Sequence, residues 1–71
     1  MTETPCTITL NGESRNIAPG TTVTGLFALL ELSADGLLVE RNRTIVPRST
    51  FETQILEPGD AIEIMRLIGG G

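Results

Sequence analysis

The chain closes on Ile68-Gly69-Gly70-Gly71, and these last positions carry the clearest chemical signal in its 71 residues. With 8 glycines in 71 residues, three in succession at the end have a chance probability of roughly 0.001, and glycine carries the highest ordering cost of any residue. Three residues without Cβ can reach about 10 Å into a channel too narrow for side chains. The group delivered at the end of such a thread is the α-carboxylate of Gly71. Its reference pKa of about 3.3 to 3.7 leaves it ionised near neutrality, able to attack the α-phosphate of ATP and form an acyl-adenylate. Activation must come from a partner enzyme, because no GxxxxGK[ST] or GxGxxG phosphate cradle occurs in the chain. The competing reading is an inert flexible tail or a cloning remnant.

Little else in the sequence could do chemistry. There is no histidine, lysine or tyrosine, hence no base tuned near neutral pH, no Schiff-base amine and no phenol. Cys6 is the only cysteine; it excludes an internal disulfide and, on an N-terminal strand without a cation signal beside it, reads as a small buried hydrophobe. Without lysine, the N-terminus is the only amine an activated Gly71 could acylate within its own chain, and lysine-linked chains are excluded; arginine usage in a G+C-rich genome explains the same absence. Nine acids against five arginines give a net charge of −4, the wrong sign for nucleic acid or anionic lipid. A basic protein partner fits better. The longest apolar run, Leu26 to Leu30, is far short of a membrane span, and the first five residues lack a secretory start. A cytoplasmic protein is expected.

Around the tail, Met65, Leu67 and Ile68 place apolar groups on both faces of a strand, as docking residues for a partner; the alternative for Met65 and Leu67 is packing beneath residues 48–56. Arg48 reads either as a docking residue positioning a partner's acid or as an i,i+4 partner of Glu52. Asp60 reads as a turn residue. With no histidine, a zinc site could be built only from carboxylates; metal fingers are excluded and no metal is expected.

The elements that must carry the tail are legible from punctuation. Thr7-Ile8-Thr9-Leu10, then Asn11-Gly12, then Ser14 to Ile17 predict a hairpin. Thr22 predicts a helix N-cap, and Val23, Leu26, Phe27 and Leu30, at i, i+3, i+4 and i+7, predict one apolar stripe on a helix ending near Leu32. Gly25 inside that helix suggests close approach to a sheet. Leu37 to Arg41 and Thr44 to Val46 predict strands about a turn at Asn42-Arg43, and Pro47 ends the ladder. Residues 48–56 read as irregular or briefly helical. Glu57-Pro58-Gly59-Asp60 turns the chain into a last strand with Ile62 and Ile64 on the buried face. The order β-β-α-β-β-β, one helix laid across a mixed sheet of four to five strands with the first and last strands adjacent, predicts an α+β roll of the ubiquitin-like β-grasp type. One domain is expected over residues 1–68, with 69–71 as a flexible tail.

Five stretches carry a family likeness: Asn11-Gly12-Glu13, Thr22-Val23 with Leu29-Leu30, Ile45-Val46-Pro47-Arg48-Ser49, Gly59-Asp60, and Ile68 to Gly71. Together they resemble the ThiS/MoaD-type ubiquitin-like sulfur carriers, most closely the thiamine-biosynthesis branch. The family often has Asn-Gly where this chain has Asn42-Arg43, and an apolar residue at Arg41. An arginine at positive φ costs roughly 1 to 2 kcal/mol, which suggests another turn type there.

The resemblance implies a protein co-substrate, not an enzyme, with no bound cofactor. A ubiquitin-activating-type, ThiF-like adenylyltransferase would use ATP and Mg²⁺ to adenylate Gly71, with Gly69 and Gly70 threaded through its channel. A cysteine desulfurase relay would supply sulfur to make a C-terminal thiocarboxylate, which a ThiG-like thiazole synthase would consume. Other acceptors (molybdopterin, as for the small subunit of its synthase; cysteine; tRNA; a natural product) remain open, as do a ubiquitin-like modifier joined through Gly71 and an inert β-grasp binding module.

Overall fold

The computed structural model describes residues 5–67. Strands β1 (Cys6–Leu10) and β2 (Glu13–Ile17) form the first hairpin, helix α1 (Val23–Leu30) follows, and β3 (Leu37–Arg41) and β4 (Thr44–Ile45) form the second hairpin. A 3-10 turn over Arg48–Thr50 then leads to β5 (Ala61–Arg66). The strands lie in the order β2-β1-β5-β3-β4. β1 and β5 run parallel, and the remaining neighbours are antiparallel. This is the expected α+β β-grasp arrangement, with all five strands in one sheet.

Both hairpins close with two-residue loops whose residues sit at positive φ, the twist that suits right-handed strands. In the first, Asn11 (φ 49°) and Gly12 (φ 85°) do so at low cost. In the second, Asn42 (φ 53°) and Arg43 (φ 71°) adopt the same form, so the expectation of another turn type is corrected. The reason lies in Asn42. Its backbone N–H donates to the Ala61 carbonyl at 2.7 Å, its Nδ2 to Asp60 Oδ1 at 3.1 Å, and its Oδ1 accepts from the Ala61 N–H at 2.9 Å. Three bonds to Asp60 and Ala61 fix the turn, and Arg43 completes it at positive φ.

Helix α1 begins as expected: Thr22 Oγ1 accepts from the Gly25 N–H at 3.0 Å. The two preceding free donors are taken by the irregular segment, Val23 N–H by the Gln54 carbonyl (3.1 Å) and Thr24 N–H by the Phe51 carbonyl (2.9 Å). Residues 48–56 thus complete the helix start, where unpaired N–H groups are otherwise left. The helix stops at Leu30, two residues before the expected end. Glu31 turns left-handed (φ 58°), with Glu31 N–H on the Ala28 carbonyl and Leu32 N–H on the Phe27 carbonyl, a Schellman closure made without glycine. A Cβ at Gly25 would meet Thr21 Cγ2 at 3.3 Å and Thr22 Oγ1 at 3.5 Å; the close neighbour is the helix's own entry and not the sheet.

The core lies between α1, the 48–56 segment and one sheet face. Val23, Leu26 and Phe27 pack there with Ile8, Val39, Leu56 and Ile62, all buried. Phe27 and Phe51 meet edge to face with centroids 5.6 Å apart, a geometry favoured by the ring quadrupoles. Cys6 is buried, its thiol directed at the Leu56 carbonyl (3.8 Å), consistent with a packing role.

Candidate functional site

Ile68, Gly69, Gly70 and Gly71 lie outside the described residues, so the site is described from its root. β5 holds a central place in the sheet, and its last partner pair is Leu37 with Arg66. One residue on, the Leu67 N–H donates to the Gly36 carbonyl at 2.8 Å. The point from which the chain continues towards Gly71 is therefore set by the turn over residues 34–37.

Arg48 holds that same turn. Its Nη2 donates to the carbonyls of Ala34 (2.9 Å) and Leu37 (3.1 Å), and its guanidinium carbon stands 5.9 Å from the centroid of the Phe51 ring. The alternative pairing with Glu52 does not form; among the described residues the one ion pair is Arg41–Asp60. Arg48 is exposed at the surface but bonded within the domain, and it bridges the segment after α1 to the strand beside β5.

Met65 and Leu67 stand apart from the buried core cluster. Met65 is half-buried and opposes Leu38, and Leu67 is exposed. Because Ile62 faces α1 and successive strand side chains alternate, Met65 belongs to the sheet face turned away from the helix. It therefore does not pack beneath residues 48–56, which lie on the helix side.

The strongest polar constellation lies where the sequence alone shows only a turn. Asp60, 5% exposed, accepts from Arg41 Nε at 2.7 Å, from the Glu57 N–H at 2.8 Å and from Asn42 Nδ2 at 3.1 Å. Burial pushes its carboxyl up, but the Arg41 and Asn42 side chains, the Glu57 N–H and the Arg41 charge together outweigh it, and the group sits below its ordinary 3.8. No spacing rule pairs positions 41 and 60. What brings them together is the β3–β5 register, which sets Arg41 opposite Ile62.

Among the described residues no three His, Cys, Asp or Glu side chains are grouped to hold a metal, and no pocket opens. No helix is long and apolar enough to cross a membrane. The described residues form a platform that ends at Leu67, fixed by its bond to Gly36.

Comparison with known proteins places this platform. The model of the ThiS family matches residues 8–71. The crystal structure of the thiamine biosynthesis protein ThiS from Geobacter metallireducens superposes with a TM-score of 0.82 at 31% identity, over 92% of this chain and 99% of that one. Two thiazole synthases also match over 64 residues, or 90% of this chain: that of Magnetococcus marinus at 42% identity and that of Paramagnetospirillum magneticum at 39%. The matched stretch is 20% of the length of each, so the chain spans about a fifth of these relatives.

Proposed function

The chain belongs to the ThiS family, and on that premise we propose that it is a sulfur carrier whose C-terminal Gly71 is activated as an adenylate and converted to a thiocarboxylate. The observation that carries this reading is the likeness to a ThiS protein over 99% of that protein's length, joined to a triple glycine that follows the pinned Leu67 in the sequence.

The chemistry needs little from the domain itself. The Gly71 carboxylate attacks the α-phosphorus of ATP on a ThiF-like adenylyltransferase, with Mg²⁺, and pyrophosphate leaves. A persulfide sulfur from a cysteine desulfurase relay then attacks the acyl carbon and displaces AMP. A second thiol cleaves the resulting S–S bond and leaves the thiocarboxylate. Arg48 and the Gly36–Leu67 bond hold the tail root while Gly69 and Gly70, lacking Cβ, enter the narrow channel. Absence of lysine protects the activated acyl group from amines of its own side chains.

We further propose thiazole formation as the destination of the sulfur, with a ThiG-like thiazole synthase as acceptor. Support comes from the two relatives named thiazole synthase, in which a stretch like this chain occupies a fifth of a longer protein. The test is tandem mass spectrometry of the tryptic peptide Leu67 to Gly71 after co-expression with the adenylyltransferase. A mass gain equal to exchange of one oxygen for sulfur at Gly71 is expected. An unmodified peptide, with the adenylyltransferase active on another carrier, refutes the proposal. The peptide holds neither Cys6 nor Met65, so oxidation cannot imitate the gain.

A further inference from the structure

The hairpin turn at Asn11-Gly12 does more than close β1 on β2. β1 and β5 run parallel only over Thr9 with Ala61 and Leu10 with Ile62. Two backbone bonds tie this stretch, from the Thr9 N–H to the Asp60 carbonyl (3.0 Å) and from the Asn11 N–H to the Ile62 carbonyl (2.9 Å). Bonds of a parallel ladder are evenly spaced, so the next would run from the Ile64 N–H to the backbone carbonyl of Asn11. Asn11 has by then turned left-handed (φ 49°) into the hairpin loop, and its side chain takes that place: the Ile64 N–H donates to Asn11 Oδ1 at 2.9 Å. The carboxamide, chemically akin to a peptide group, adds one rung to a strand that has ended. Past it, among the described residues, β5 is held from the β3 side alone, by Leu38 opposite Met65, Leu37 opposite Arg66 and the Leu67 bond to Gly36.

We propose that Asn11 is a positioning residue for activation of the tail: as the last contact on the β1 side, its carboxamide sets the line along which β5 leaves the sheet at Leu67. The inference rests on the sulfur-carrier reading and adds a residue to it. A strand bonded along one edge can hinge about that edge, and a bond on the other edge removes the freedom. Gly71 lies seven residues beyond Ile64, about 23 Å for an extended chain, so a swing of about 5° at Ile64 displaces its carboxylate by about 2 Å. An enzyme that threads the tail must remove that swing on binding when the carrier has not already done so, which costs affinity. Once the tail is seated, the enzyme's channel fixes the carboxylate and the chemical step is unaffected. Asparagine suits both duties, because its short side chain offers a carbonyl and tolerates positive φ. Asn42 shows the same use of the residue type in the other hairpin, where its Oδ1 accepts from the Ala61 N–H, but at the start of β5, away from the tail.

Two variants separate the rung from the turn. Asn11→Gly keeps a Gly-Gly loop that closes such hairpins well but has no acceptor, whereas Asn11→Asp keeps both turn and acceptor. Amide hydrogen exchange followed by NMR reads the rung: the Ile64 amide should exchange about tenfold faster in Asn11→Gly and near the wild-type rate in Asn11→Asp, with Ala61 unchanged in both. Pyrophosphate release by the adenylyltransferase of the same organism, with the carrier concentration varied, reads the role. Asn11→Gly should raise KM about fivefold with kcat within about twofold of wild type, and Asn11→Asp should keep the wild-type KM. A residue that only stabilised the fold would leave KM unchanged in a variant that melts well above the assay temperature. Wild-type exchange at Ile64, or a wild-type KM, in Asn11→Gly overturns the positioning role and leaves the sulfur-carrier reading intact. No pyrophosphate release with the wild-type chain, from an enzyme active on another carrier, overturns both.

Discussion

Replacing Asp60 with alanine is expected to cost about 3 kcal/mol, because this carboxylate accepts three bonds at once. Bonds to a charged acceptor contribute about 1.5 to 3 kcal/mol each. The sum is reduced because the Arg41 side chain is 30% exposed and Asn42 and Glu57 are exposed residues, so all three donors regain part of their bonding from water when the carboxylate is lost. A 71-residue domain has roughly 4 to 10 kcal/mol in total, and about 4 to 8 °C of melting temperature follows each kcal/mol at this size. The alanine variant should therefore melt about 12 to 24 °C lower in differential scanning calorimetry. Asp60→Asn, which keeps the shape and removes the charge, should fall between it and the wild type.

The pH dependence follows from the same bonds. The folded carboxyl sits below its ordinary 3.8, so its stabilisation is present above about pH 4 and is lost as pH falls through the lower folded value. Asp60→Asn should flatten that acid limb. A double-mutant cycle with Arg41→Met should return a favourable coupling of about 1 to 2 kcal/mol. An alanine variant within 0.5 kcal/mol of wild type, or an acid limb unchanged in Asp60→Asn, refutes the view that Asp60 fastens the β3–β4 turn to β5.

Deleting Gly70 and Gly71 should leave the melting temperature unchanged, since both lie beyond the last sheet pair, yet abolish thiocarboxylate formation read by mass spectrometry. Arg48→Gln removes the charged bonds to Ala34 and Leu37; adenylation of the tail should slow several-fold in a pyrophosphate-release assay while stability, at this exposed position, falls by only about 1 kcal/mol. Arg43→Gly relieves a side chain held at φ 71° and should raise stability by up to about 1 kcal/mol in urea unfolding.

The parts legible in the sequence are those that depend on neighbours along the chain. Asn11-Gly12 marks its own hairpin, Thr22 caps the turn it begins, and the spacing of Val23, Leu26 and Phe27 gives the buried helix face. The parts that escaped depend on distant partners. Asn42-Arg43 looks unfit for its turn until the three bonds from Asn42 to Asp60 and Ala61 are seen, and Asp60 looks like turn punctuation until the register delivers Arg41. Residues 48–56 read as irregular because their order comes from serving the helix start. Glu31 gives no stop signal by type: neither glycine nor asparagine, it turns left-handed because Leu32 N–H and its own N–H find carbonyls there. Of the candidate site, the glycine end was evident from composition, whereas the turn that fixes its root was not, since Gly36, Arg48 and Leu67 share no spacing.

The position of β5 bears on when the protein becomes competent during its synthesis. The two hairpins, β1–β2 and β3–β4, touch the rest of the sheet only through β5, which among the described residues is also the last strand in chain order. Until residues 61–66 emerge from the ribosome, each hairpin lacks its neighbour, and two strands alone are marginal in water. The completed sheet and the residues that follow it therefore become available almost together. A chain cut short before residue 61 holds two hairpins with no strand to join them, and it lacks the bond from Leu67 to Gly36 that ends the sheet.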